Sequence, residues 1–126
     1  MRVMAIDFGT KRIGVAISDE EGKIAFPKEV IQNNTSTVEK VKAFAKESGI
    51  KTIVIGESKD FGGRENALMK HIRAFSKEME SGYAIVFEPE YSSSVEAGRF
   101  QGVNEMHDAS AAAIILQRYL DKQQKQ

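Results

Sequence analysis

Residues 2–18, RVMAIDFGTKRIGVAIS, carry the strongest fold signal in this protein. Residues 2–8 are almost continuously apolar, which predicts a central β-strand that is covered on both faces. Gly9 permits a tight turn, and Arg12–Ser18 forms a second strand-like run. Asp7 interrupts the first run near its end. A carboxylate that leaves a central strand is costly unless something pairs with it, so Asp7 is the first candidate for a functional residue.

The segments that follow predict a third antiparallel strand and then a helix. A turn-forming cluster, DEEG at residues 19–22, leads into a strand over residues 23–31. Pro27 within that strand indicates an edge position or a bulge, because proline donates no ladder hydrogen bond. Ser36 and Glu39 have the spacing of a capping box, which predicts the start of a helix that Gly49 ends.

The rest of the chain predicts strands that alternate with helices. Residues 52–55 and 83–87 form short β-branched or aromatic runs, separated by a polar, glycine-rich loop at residues 56–63 and a helix with apolar residues at helical spacing. Residues 88–90 lead toward a short helix that begins near Ser93, and a last helix covers residues 107–120. We therefore predict an α/β fold: a mixed five-stranded sheet, three antiparallel strands followed by parallel crossovers, with helices packed on it. The predicted single domain is residues 1–120, with a frayed tail at residues 121–126.

The composition limits the kinds of site that the chain can build. With no cysteine and only two histidines among 126 residues, neither a disulfide framework nor a zinc site of thiolates and imidazoles is expected, so oxygen would have to hold any metal. Eighteen Lys and Arg balance eighteen Asp and Glu, which counts against non-specific coating of nucleic acid by charge. Neither a signal peptide nor a membrane-spanning run is evident, so we expect a cytoplasmic protein.

Two acidic positions are predicted at strand ends, and each has a simpler explanation. Asp7 could cap the turn at Gly9 and Thr10 instead of acting in chemistry. Glu90 follows the apolar run of residues 83–87 and could be an exposed loop residue. Glu88 competes with Glu90 for any role, because residues two apart in an extended chain point the same way.

A third acid, Asp108, lies at the start of the last helix. Its partners at helical spacing include Ala112, Ile115 and Leu116, so it heads the apolar stripe and should face the sheet. An aspartate there could equally cap the N-terminus of the helix or interact favourably with the positive end of the helix dipole. Three carboxylates at one end of a sheet repel one another unless cations lie between them, and hard cations such as Mg²⁺ or Mn²⁺ suit such a cluster. Two such ions can promote phosphodiester hydrolysis.

The chain as a whole resembles the YqgF/RuvX family of the ribonuclease H-like superfamily, a group of pre-ribosomal-RNA nucleases and Holliday junction resolvase-like proteins. Residues 7–14 (DFGTKRIG) and 108–117 (DASAAAIILQ) carry the specific part of the resemblance. Glu90 with residues 93–97 (SSVEA) carries a weaker part. The resemblance extends over essentially the whole length.

The resemblance implies catalytic, metal-binding roles for Asp7, Glu90 and Asp108. It also implies a divalent cation, Mg²⁺ or Mn²⁺, and a nucleic-acid substrate, in the first place the structured RNA precursor of small-subunit ribosomal RNA. Lys11 and Arg12, just beyond the first acid, are candidates for phosphate contact.

Other implications are less direct. Ser93 and Ser94, where the family commonly has threonines, are further candidates for binding a phosphate. Pro89 and Tyr91 depart from the family's usual Asp and Arg on either side of the glutamate, so a guanidinium expected beside the site is missing.

Two other functions stay open from the sequence. The chain could cleave branched DNA in the manner of a Holliday junction resolvase, which would require a homodimer because symmetric cleavage needs two matched sites. It could instead be a non-catalytic RNA-binding module in ribosome assembly. The sequence does not distinguish a monomer from a homodimer.

Overall fold

The computed structural model describes residues 1–58, 67–90 and 106–124, which form five strands and three helices. Along the chain these are β1 (Val3–Phe8), β2 (Arg12–Ser18), β3 (Ala25–Gln32), α1 (Thr37–Glu47), β4 (Thr52–Ser58), α2 (Leu68–Met79), β5 (Ala84–Glu90) and α3 (Met106–Gln124). The strands form one sheet in the order β3-β2-β1-β4-β5. None of the helices in the described ranges is long and apolar enough to cross a membrane.

The register confirms the predicted mixed sheet. β1, β2 and β3 pair antiparallel, whereas β4 pairs parallel with β1 and β5 pairs parallel with β4. The expectation for Pro27 is also confirmed. It lies in the edge strand β3, and the β2–β3 register shifts between Val15 and Ala16, at the pair that Pro27 forms with Ala16.

Alternation along β1 divides the core between the two faces of the sheet. Met4 and Ile6 pack with α1 and α2 on one face, whereas Ala5 packs with α3 on the other. The α3 face is lined by small residues such as Ala5, Ala16 and Ala112, all fully buried. Small side chains on both surfaces allow the backbone of α3 to approach the sheet closely. Position 7 has the same parity as Ala5 and therefore belongs to the α3 face.

The last two strands are longer than the sequence predicted. Gly56, Glu57 and Ser58 continue β4 rather than opening a loop, and they pair with Glu88, Pro89 and Glu90 in β5. The polar composition of these residues suggested a loop, but pairing of neighbouring strands satisfies their backbone groups regardless of side chain. The predicted short helix near Ser93 lies outside the described residues. Likewise α3 continues to Gln124, past the predicted end at residue 120.

The predicted capping box at the start of α1 is wrong in its hydrogen bonding. Ser36 is the N-cap, but its side chain makes no capping hydrogen bond. Thr37, which is buried, accepts a hydrogen bond from the Asn34 N–H at 2.8 Å and closes the turn before the helix. At the other end, Gly49 adopts φ of +70°, the left-handed conformation expected of a residue that ends a helix.

Candidate active site at one end of the sheet

Asp7 lies near the C-terminal end of β1, at the middle of the sheet, and on the face covered by α3. It pairs with Gly14 of β2 and is partly buried. Ile6 pairs with Ile55 of β4, so extending the register by one residue places Gly56 on the other side of Asp7. Both neighbours of this carboxylate across the sheet are therefore glycines. Neither of these two neighbours carries a side chain, so none projects from them beside the Asp7 carboxylate.

Glu88 lies in the same row of the sheet as Asp7, one strand beyond Gly56, and its carboxylate already forms an ion pair. It pairs with Gly56 and is only 4% exposed. Lys122 of α3 donates a hydrogen bond to its carboxylate at 2.5 Å, in an ion pair whose lysine is largely exposed. A buried carboxylate needs such a partner, and this one is supplied by the last turn of α3. The structure thus gives Glu88 a structural role in joining α3 to β5.

Glu90 is the last residue of β5, two positions beyond Glu88 and paired with Ser58. The sequence placed it just past the strand, and the structure places it within the strand. It stands at the same end of the sheet as Asp7, with β4 between the two strands. Its side chain lies outside the part of the structure that is described.

Asp108 is the third residue of α3, and its side chain also lies outside the described part. Farther along the helix, the Gln117 Oε1 accepts a hydrogen bond from the Ala25 N–H at the start of β3, whereas Lys122 reaches β5. α3 therefore spans the sheet from one edge strand to the other on the face that carries Asp7. Ser93 and Ser94 fall outside the described residues, so their predicted role in phosphate binding stays a prediction.

The hairpin that follows Asp7 carries two of the four residues predicted to bind phosphate, Lys11 and Arg12. β1 ends at Phe8 and β2 begins at Arg12, so the connection between them is only three residues long. A Cβ placed on Gly9 would lie 2.5 Å from the Arg12 carbonyl oxygen, so no residue larger than glycine fits without movement of the backbone. Lys11 and Arg12 are exposed on this hairpin, at the Asp7 end of the sheet.

Sequence reasoning missed two residues that organise this end of the molecule. Lys122 was assigned to a frayed tail, yet it neutralises Glu88. Asn33 was not considered, yet its side-chain amide donates a hydrogen bond to the Gly9 carbonyl at 2.8 Å. The pairing of the antiparallel strands could have indicated Asn33, because Gln32 at the end of β3 pairs with Arg12 and the residue that follows must therefore lie beside the hairpin.

The chemistry of the three acids fits a hard divalent cation. Only carboxylate oxygens are offered at these positions, and oxygen is the ligand that Mg²⁺ and Mn²⁺ prefer. Among the side chains that the structure describes, no three acidic or histidine residues lie close enough together to hold a metal ion. Glu90 and Asp108 are not among those side chains. Asp7 is thus the one predicted ligand whose side chain is described, and its two neighbours across the sheet are glycines.

The chain matches one protein family over nearly its whole length. The family described as "RuvX: Holliday junction resolvase" matches residues 1–122. A protein of Bordetella pertussis named "Putative pre-16S rRNA nuclease" is 34% identical over 123 residues, which cover 94% of this chain and 92% of that protein. A protein of the same name from Sulfurihydrogenibium is 32% identical and covers 96% of this chain and 90% of its own length.

Solved structures agree on the fold. The Fowlpox virus resolvase in complex with Holliday junction DNA superposes with a TM-score of 0.59 at 10% identity, covering 98% of this chain and 99% of its own. RuvC of T. thermophilus, in complex with a Holliday junction substrate, gives a TM-score of 0.56 at 14% identity, covering 98% and 96%. At such low identities the likeness concerns the fold alone, and it confirms the predicted ribonuclease H-like arrangement.

Proposed function

The chain belongs to the RuvX family, and from this premise we propose that it is a metal-dependent nuclease that processes the precursor of small-subunit ribosomal RNA. The observation that carries the proposal is the setting of Asp7. Its carboxylate stands at the end of the central strand, on the α3 face, between two glycine positions. A ribosomal RNA precursor as substrate agrees with the expected cytoplasmic location.

The second acid of the proposed site is Glu90 rather than Glu88. Glu88 is buried and held by Lys122, so recruiting it to a metal would break the ion pair that neutralises it. Glu90 has the same strand parity as Glu88 and lies closer to the strand end. Two strand spacings, about 10 Å between backbones, separate β1 from β5, and the intervening Gly56 contributes no side chain to the space between.

The third acid is Asp108. Ala112 of α3 packs with Ala5 and Ala16 on the face of the sheet that carries Asp7. Asp108 lies one helical turn before Ala112, about 6 Å along the helix axis, on the same face of the helix. The carboxylate would also be favoured there by the positive end of the α3 dipole.

In the proposed reaction the three acids hold the metal ion and the hairpin after Asp7 binds the phosphates of the substrate. A divalent ion held by Asp7, Glu90 and Asp108 would activate water and stabilise the leaving oxygen during phosphodiester hydrolysis. Lys11 and Arg12 would contact phosphates of the strand on either side of the scissile bond, and Ser93 and Ser94 would add hydroxyl donors. Fixed cations outside the acidic cluster are needed because the cluster alone would repel the phosphate backbone.

Cleavage of a precursor ribosomal RNA transcript in Mg²⁺ or Mn²⁺ tests this function. We expect Asp7→Asn, Glu90→Gln and Asp108→Asn each to lower the rate by a factor of at least about 10 to 100, which is the loss expected even for an outer-shell partner of a metal ligand. Asp19→Asn is the matched control, because the same change is made at the opposite end of the sheet and should leave the rate unchanged. Wild-type cleavage by the Asp7→Asn protein, with folding verified by circular dichroism, would falsify the assignment.

A branched DNA substrate is the second candidate, because the family description names a Holliday junction resolvase. Symmetric cleavage of a four-way junction requires two copies of the site, and therefore a dimer. The same panel of variants should be assayed on a four-way DNA junction, with the solution mass measured in parallel. Junction cleavage by a dimer, without cleavage of the RNA, would move the assignment to DNA. RNA binding without cleavage in any divalent metal would instead indicate a non-catalytic RNA-binding module.

A further inference from the structure

The connection between β1 and β2 is held from outside by one residue. Asn33, immediately after β3, bonds to this hairpin at two points. Its backbone N–H donates to the Lys11 carbonyl at 2.9 Å, and its side-chain Nδ2 donates to the Gly9 carbonyl at 2.8 Å. These two carbonyls lie on either side of Thr10, so a single asparagine fixes both sides of the turn.

The side chain of Asn33 is itself fixed by the start of α1. The Thr37 hydroxyl lies 3.3 Å from the Asn33 Oδ1 and 3.1 Å from the Gln32 carbonyl, and it accepts the Asn34 N–H. Thr37 is 2% exposed, so this hydroxyl is held within the fold. An amide donates through its nitrogen and accepts through its oxygen. The contacts to Gly9 and Thr37 therefore use the two ends of the same amide.

The hairpin presents an exposed lysine whose backbone is thereby fixed. Lys11 is exposed, and its carbonyl is one of the two groups that Asn33 holds. A lysine side chain has a flexible four-carbon stem, so the useful position of its ammonium depends on a fixed backbone. We infer that Asn33 is a positioning residue, which fixes the hairpin after Asp7 so that Lys11 meets a substrate phosphate. This inference rests on the proposed function, because it requires a nucleic-acid substrate at this end of the sheet.

A thermodynamic cycle on RNA binding tests the inference apart from catalysis. The probe is a fluorescent single-stranded RNA, with the dissociation constant measured by anisotropy in EDTA so that no metal-dependent cleavage takes place. We expect Asn33→Ala to weaken binding about fivefold, the effect of one lost hydrogen bond. In the Lys11→Ala background the same change should have no further effect, because Asn33 acts through Lys11. The salt dependence of binding should also become shallower by up to about one unit for both single variants.

Two variants separate hydrogen bonding from a merely structural role. Asn33→Leu keeps the approximate size of the side chain but removes the amide that bonds to the Gly9 carbonyl, and it adds no charge that would repel RNA, so it should bind RNA no better than Asn33→Ala. If Asn33 only filled space, Asn33→Leu would bind like the wild type. Asn34→Ala is the matched control, because Asn34 makes its contacts within the turn before α1 and should leave binding unchanged.

The outcomes distinguish this inference from the proposed function. Additive effects of the Asn33 and Lys11 substitutions, or wild-type binding by Asn33→Ala, would overturn the positioning role. Neither result would affect the assignment of Asp7, which depends on metal-dependent cleavage. Conversely, undiminished cleavage by Asp7→Asn would reject the proposed nuclease site. The role of Asn33 would still be decided by the RNA-binding measurements, which do not depend on cleavage. Failure of the wild type to bind RNA would reject the positioning role as well.

Discussion

Gly9 should be one of the least replaceable residues of the fold, because the hairpin after Asp7 closes directly over it. In a Gly9→Ala protein the new Cβ would lie 2.5 Å from the Arg12 carbonyl oxygen. Relaxed contacts between carbon and oxygen begin at about 3.3 Å, so the carbonyl would have to move by about 0.8 Å. Movement is opposed on both sides, since the Gly9 carbonyl is bonded to Asn33 and Arg12 begins a paired strand.

The cost of this clash is set by how much the hairpin can relax. Overpacking of a well-fitted site costs about 1–3 kcal/mol in the free energy of unfolding. For a domain of this size that cost corresponds to a fall in Tm of about 4–12 °C. Urea denaturation and calorimetry of the purified variant measure both quantities. Cleavage should fall as well, because the displaced hairpin carries Lys11.

Two other glycines provide matched controls. At Gly82 an added Cβ would meet nothing within 4 Å and φ is not positive, so Gly82→Ala should change stability by no more than about 0.5 kcal/mol. Gly49 is equally open but has φ of +70°, so Gly49→Ala should cost about 1–2 kcal/mol from backbone strain alone. If Gly9→Ala were as stable as Gly82→Ala, the tight hairpin closure described above would be incorrect.

Three further predictions concern the regions around the site. Lys122→Met should lower the free energy of unfolding by about 1–3 kcal/mol in urea titrations, because it leaves the Glu88 carboxylate buried without its partner. Adding Glu88→Gln to this variant should recover part of the loss. Equal stability of the wild type and Lys122→Met would contradict the pairing. Ala112→Leu should cost about 1–3 kcal/mol by calorimetry, because Ala112 is fully buried where α3 approaches the sheet, and a neutral result would mean that the helix packs less closely. Hydrogen bonds from the backbone N–H groups of the following turn lower the pKa of the Asp19 carboxyl below its ordinary value of 3.8, so its carboxylate favours the folded state above that pH. The stability difference between the wild type and Asp19→Asn should thus be constant at neutral pH and shrink as the pH falls through the lowered pKa; a difference that grew in acid would contradict this sign.

Most of the sheet could be predicted from periodicity, because its central strands are apolar on both faces. β2 was predicted with the bounds that it has, and Pro27 indicated the edge strand and its bulge. Prediction was wrong where pairing overrode composition. Residues 56–58 and 88–90 are polar or contain proline, yet β4 and β5 pair along them. A single sequence carries no signal for such pairing, since the partner strand is distant along the chain.

The candidate site could be predicted in part. Sequence alone indicated Asp7, and the structure places it on the face that α3 covers, at the sheet end shared with Glu90. The strand pattern alone did not separate Glu88 from Glu90, because two residues of equal chemistry share one strand parity, and it was the family resemblance that favoured Glu90. The ion pair of Glu88 with Lys122, which lies 34 residues away and meets Glu88 through the tertiary packing of α3, supports the same choice and could not be read from the sequence.

The proposed nuclease requires the carboxylates of Asp7, Glu90 and Asp108 to meet around a divalent cation. A crystal soaked in Mn²⁺, with anomalous differences recorded at the manganese edge, would locate that cation. We expect an anomalous peak at the end of β1 with oxygens of all three residues at about 2.1 Å, the distance typical of small hard cations. A structure in which these side chains lie apart, with manganese bound elsewhere or not at all, would contradict the proposed site.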